Sequence, residues 1–163
     1  MLDEYEMEKW IWTDADFEQM GWHDSPIYAF AFLAESNEFV LDIDYILRWV
    51  QPAQDETHFN FWVAPATLVF ENAYDIKFDL KTRYGIRIDI QDIDRRNPRV
   101  LEAGLLAGTN EWRWIIEAQE GEISLDATGY KQYFRKKPFF QREQALEMDV
   151  RNGISFHRGR LDK

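Results

Sequence analysis

Apolar and polar residues alternate with a period of two along much of this chain, and that period predicts strands. Residues 38–50 show it best. Phe39, Leu41, Ile43, Tyr45, Leu47 and Trp49 point one way, while Val40, Asp42, Asp44, Ile46 and Arg48 point the other. Residues 26–34 are apolar on both faces, as in a central strand, and Ser36-Asn37 turns them into the alternating segment, so the two predict a hairpin. A second hairpin is expected from residues 112–118 and 122–128 around Glu120-Gly121, with Trp112, Trp114 and Ile116 on one face.

Weaker segments complete the pattern. Residues 9–13 suit a short strand or an extended arm. Thr13 or Asp14 can cap a brief helix over 15–20 that Gly21 ends. Residues 58–63 and 67–72 read as two strands broken at Ala64-Pro65-Ala66, because proline cannot donate to a central ladder. Residues 75–81 and 86–91 alternate again around Tyr84-Gly85. The charged stretch 92–110, with Pro98 and two glycines, reads as a long loop, as does 51–57 with Pro52. Residues 131–135 suit a strand, 141–149 a short helix and 154–156 a last short strand. About nine or ten strands with one or two short helices predict a mainly β protein, a single-domain antiparallel β-sandwich or curled sheet over residues 1–163.

Composition narrows the function. With 45% hydrophobic and 16% aromatic residues, the chain of 163 residues has the side chains for a packed core. There is no cysteine, which excludes disulfides, thiolate nucleophiles and Cys-ligated zinc. The start is acidic where a signal peptide is basic, and no apolar run approaches the length of a membrane span. A soluble, cytoplasmic location is therefore the expectation. The net charge of −11 argues against direct nucleic-acid binding through a general basic surface. Its distribution is uneven: residues 1–82 carry 17 acidic and 4 basic side chains, residues 83–163 carry 13 and 15.

Candidate chemistry is sparse. In Trp22-His23-Asp24-Ser25-Pro26, His23 is a candidate general base and Asp24 its orienting acid, although neighbours on an extended chain point apart. Asp24 and Ser25 also suit an ordinary turn into the strand that follows. Asp42 and Asp44 share one strand face, where two carboxylates could hold a hard divalent cation or divide their pKa values for acid–base work; a solvated outer face explains them with less machinery. Asp89, Asp92 and Asp94 are similar, and Arg96 and Asn97 stand where a calcium loop needs a ligand and a glycine. No nucleophile elbow, phosphate loop or dinucleotide fingerprint is present, and no cofactor is implied. Arg95, Arg96 and Arg99, and the basic and aromatic residues of 130–142, could bind single-stranded nucleic acid, but fit core packing and ion pairing with the acidic half better.

The string Phe59-Asn-Phe-Trp-Val-Ala-Pro-Ala-Thr-Leu-Val-Phe-Glu-Asn72, with Trp22-His-Asp24 and Leu41-Asp-Ile-Asp-Tyr-Ile46, resembles small bacterial β-rich proteins and is similar to some immunity proteins that accompany secreted toxins. That resemblance covers the N-terminal half and implies binding without assigning any catalytic residue. The leading expectation is a non-catalytic, acidic binding protein, an immunity-type inhibitor docking a basic toxin through a face with Trp22, Asp42 and Asp44. Two alternatives are a metal-assisted or acid–base enzyme built on His23, Asp24, Asp42 and Asp44, and a structural homodimer joined through strands or aromatics.

Overall fold

The computed structural model describes residues 4–161, so the first three residues of the acidic start lie outside it. Ten strands form one antiparallel sheet: β1 (Ile11–Thr13), β2 (Ser25–Leu33), β3 (Glu38–Val50), β4 (Asn60–Glu71), β5 (Tyr74–Leu80), β6 (Ile88–Val100), β7 (Asn110–Ala118), β8 (Gly121–Ala127), β9 (Gly129–Phe134) and β10 (Phe139–Gln141). Their order is β1-β9-β4-β3-β2-β6-β7-β8-β5, with β10 added beside β4. A 3₁₀ helix, Asp14–Gln19, follows β1, and one helical turn, α1, spans Met148–Arg151. The mainly β fold and both hairpins agree with the alternation in the sequence.

The sheet curls so that β4 faces β7. Phe70 and Trp114 meet at 5.6 Å, and Trp22, Tyr130 and Tyr45 extend the same aromatic core. The 3₁₀ helix starts where the sequence signalled it: the Ala15 amide donates to the Thr13 hydroxyl, and the Thr13 amide donates to Asp16.

Five expectations are corrected. Residues 60–71 are one continuous strand despite Pro65. On one flank β10 pairs with Phe61, Trp62 and Val63, and β9 pairs from Ala66 onward, so Pro65 falls in the gap. Its carbonyl accepts from the Arg135 amide across that gap, where the missing N–H removes no ladder bond. The first half of the supposed loop at 92–110, as far as Val100, is β6, whose alternation is interrupted by irregularities between Ile90 and Asp92 and between Arg96 and Arg99. In place of a helix over 141–149 there is β10 followed by α1, and residues 154–156 form no strand. The outer face of β3 is covered as well: Val40, Asp42, Asp44 and Ile46 are all buried.

Candidate functional site

Among the described residues, the buried charges on the covered face of β3 belong to a four-residue network. Arg135 follows β9, and Arg151 closes α1. Asp42 Oδ1 accepts from Arg135 Nη2 and Arg151 Nη2, each at 2.7 Å, and its Oδ2 accepts from Arg151 Nη1 at 2.9 Å and the Ser155 amide at 3.0 Å. Asp44 Oδ1 accepts from Arg151 Nε at 3.2 Å; its Oδ2 accepts from the Tyr28 hydroxyl at 2.6 Å and the Leu146 amide at 2.8 Å. Arg135 Nη1 also donates to Thr67, whose hydroxyl donates to the His157 carbonyl. The Arg151 guanidinium lies 3.7 Å from the centre of the Tyr28 ring.

All four charged side chains are fully out of solvent, and two positive charges balance two negative ones. Burial pushes the Asp44 carboxyl up, against the opposing charge of Arg151 and the hydrogen bonds from Tyr28 and Leu146. The arginines shift oppositely. Burial lowers Arg135, which has one carboxylate, whereas Arg151 is raised because Asp42 and Asp44 together outweigh its burial. With every carboxylate oxygen engaged by a protein donor, the pair is committed to holding residues 135–157 on the sheet, and the expected solvated face is replaced by a sealed one.

His23 and Asp24 are brought together after all. Asp24 adopts a left-handed conformation, φ 63°, which turns its carboxylate back to lie 3.5 Å from His23 Nε2. Asp24 also accepts from Gln144 Nε2 at 2.8 Å, and His23 Nδ1 lies 3.3 Å from the Gln91 carbonyl with its ring stacked on Trp49. His23 is largely exposed. No hydrogen bond or ion pair among the described residues joins this pair to Asp42 or Asp44, and among them no group of three or more His, Asp or Glu side chains is placed to hold a metal ion. Trp22 is a core residue, donating to Gln132 Oε1 at 2.8 Å, and so presents no surface to a partner.

Charge is concentrated elsewhere on the exterior. Asp92 pairs with Glu117, Glu117 with Glu122, and Glu122 with Asp79, so four carboxylates stand in register across β6, β7, β8 and β5. The matching inner row is Ile93, Ile116, Ile123 and Phe78, which fixes the carboxylates on the outer face. Arg96, 3.8 Å from Glu117, is the nearest balancing cation among the described ion pairs. The turn at Glu120-Gly121 makes the Glu117–Glu122 pair readable in the sequence, but Asp79 and Asp92 join it only through strand order. Both basic clusters are dispersed: Arg95 lies over Phe17 and Trp112, Arg99 pairs with Glu111, Lys131 with Glu71, and Lys136 donates to the Val150 carbonyl.

At the other end of the covered segment, Arg158 makes a two-pronged contact with Glu38, both bonds 2.9 Å, which holds that carboxyl below its usual range. A lowered folded-state pKa gives stability that is present above the unfolded carboxylate value near 4.3 and lost as pH falls through the folded one. Asp44 acts in the opposite sense, its contribution falling as pH rises through its raised value. Denaturation midpoints below about pH 4 should therefore fall less steeply with acid in Glu38→Gln than in the parent; parallel curves would show that the Arg158 contact is unimportant.

Comparison with protein-family models, curated proteins and solved structures returns no match. The class is thus set by the fold and surface alone: an antiparallel β protein with a sealed ion network and an exposed acidic row. No described helix is long and apolar enough to cross a membrane.

Proposed function

We propose that the chain is a non-catalytic binding protein that docks a basic protein partner on its acidic sheet face, in the manner of an immunity-type inhibitor. The row Asp92, Glu117, Glu122 and Asp79 carries this reading. Like charges directly opposite one another weaken a sheet, and a cationic partner relieves that repulsion on binding. A net charge of −11 also accelerates the approach of a basic protein, an effect that salt screens. Such a partner would meet a rigid surface, since all four strands are hydrogen-bonded in the same sheet.

An oligolysine peptide serves as probe. The double variant Glu117→Gln/Glu122→Gln should weaken its binding about tenfold and flatten its salt dependence. A control with the same net charge, Asp55→Asn/Glu102→Gln, should leave binding close to that of the parent. Equal losses in the two variants would mean that the peptide senses overall charge, and the row would lose its assigned role.

A further inference from the structure

The longest apolar run in the sequence, residues 27–34, ends as an open strand edge. β2 pairs with β3 along one side down to Leu33, but on its other side β6 reaches only Ser25, Pro26 and Ile27. Residues 29–33, Ala-Phe-Ala-Phe-Leu, therefore have no strand beside them on that flank among the described residues. Phe30 and Phe32 are 48% and 57% exposed, and with Phe78 they form an aromatic cluster around the buried Phe39. Exposed edges are ordinarily guarded by charges, proline, bulges or brevity. β5 has such guards, with Asp75, Lys77 and Asp79 and a break in register after Tyr74, and β1 is only three residues long. Residues 29–33 of β2 carry no charge at all.

We propose that this edge is the interface between two copies of the chain, joined by antiparallel pairing of β2 with β2 about a two-fold axis at Ala31. That register sets Ala31 against Ala31, Phe30 of one copy against Phe32 of the other, and Ala29 against Leu33. The segment fits itself because it is nearly palindromic in size, and both phenylalanines lie on the inner face, where the two aromatic clusters merge. It is also the length of strand that β6 leaves uncovered.

Charge selects a second copy as the occupant. Antiparallel continuation carries the exposed Glu35 of each copy to the place where the other's β6 leaves β2. Arg87 stands there, paired with Asp89 of its own copy and close enough to Tyr28 for its charge to act on the phenol, and Lys81 and Arg83 precede it in the same connection. Among the described residues, Lys81 and Arg83 have no ion-pair partner, and Tyr84 and Ile86, between Arg83 and Arg87, are almost wholly exposed. Each copy thus brings an acidic turn to the other's basic loop, twice over by symmetry, while the uncharged centre avoids repulsion between two chains of net charge −11.

Sedimentation of the full chain over a wide dilution series tests this, with amide hydrogen exchange of residues 29–33 read in parallel. A monomer–dimer equilibrium is expected, with protection of those amides falling on dilution. Phe32→Lys should weaken the dimer at least about tenfold. Glu35→Arg, on an exposed turn where the fold is not at risk, should weaken it severalfold, and Glu35→Arg/Arg87→Glu should recover most of the loss. A chain that stays monomeric at the highest concentration, or a dimer indifferent to both Phe32→Lys and Glu35→Arg, overturns the proposal. Neither result bears on the acidic row, which lies on other strands.

Discussion

Replacing Arg151 with methionine should lower the unfolding free energy by about 3 to 5 kcal/mol, the usual consequence of removing one partner from a buried ion pair. Methionine fills much of the same space, so the loss is not principally one of packing. What disappears is both Arg151 bonds to Asp42 and its bond to Asp44, leaving two buried carboxylates with one guanidinium between them. The urea midpoint should fall with little change in m, because the sheet itself persists. The damage should also be directional. Ser155, Leu146 and Gly153 all bond within this network, so limited proteolysis should cut first in residues 139–157. Arg151→Lys, which keeps the charge without the planar fork, should fall between parent and methionine. A midpoint shift worth less than about 0.5 kcal/mol would mean that the network is dispensable.

The same physics explains why this network contributes nothing to surface charge. Burying four ions is costly, and apolar residues of similar volume in all four places would hold the segment as well or better. The ionic solution does fix geometry: a guanidinium fork against two carboxylates two residues apart admits few registers for the covering segment. Because the two acids are cancelled internally, the net charge of −11 is expressed by other carboxylates, the β6-β7-β8-β5 row among them.

That redistribution marks the limit of what the sequence displays. The strands were legible wherever one face is apolar without interruption, as in β3 and in the β7–β8 hairpin. The shared face of Asp42 and Asp44 was legible too, since a period of two allows nothing else. Their burial was not, because Arg135 and Arg151 are 93 and 109 residues further along the chain, and nothing local distinguishes a carboxylate facing water from one facing an arginine. β6 was hidden for a different reason: each irregularity in its pairing slips the alternation, so Ile90 and Ile93 share the core while differing in parity. His23 and Asp24 were separated by the assumption of an extended chain, which the left-handed Asp24 breaks.

Gly121→Ala should cost about 2 to 4 kcal/mol, an unusually large effect for adding one methyl group at an exposed turn. Gly121 has φ 138°, a region that residues with a Cβ rarely enter, and an added Cβ would stand 1.9 Å from the Asp79 carbonyl oxygen and 3.2 Å from Leu80 Cα. Both obstacles are backbone, so β5 must move away from β8 to admit it. Gly85→Ala isolates the two causes: its φ is 133° but nothing lies within 4 Å of the new carbon, so it should carry the conformational strain alone, about 1 to 2 kcal/mol. The difference between the two variants measures the closeness of β5 and β8. It also predicts a functional consequence, because Leu80 pairs with Gly121 next to the Asp79–Glu122 pair that ends the acidic row. Hydrogen exchange at residues 77–80 should accelerate in Gly121→Ala and not in Gly85→Ala, with a matching loss of oligolysine binding confined to the first. Equal costs in denaturation, or unchanged exchange in β5, would show that the turn relaxes without disturbing the row.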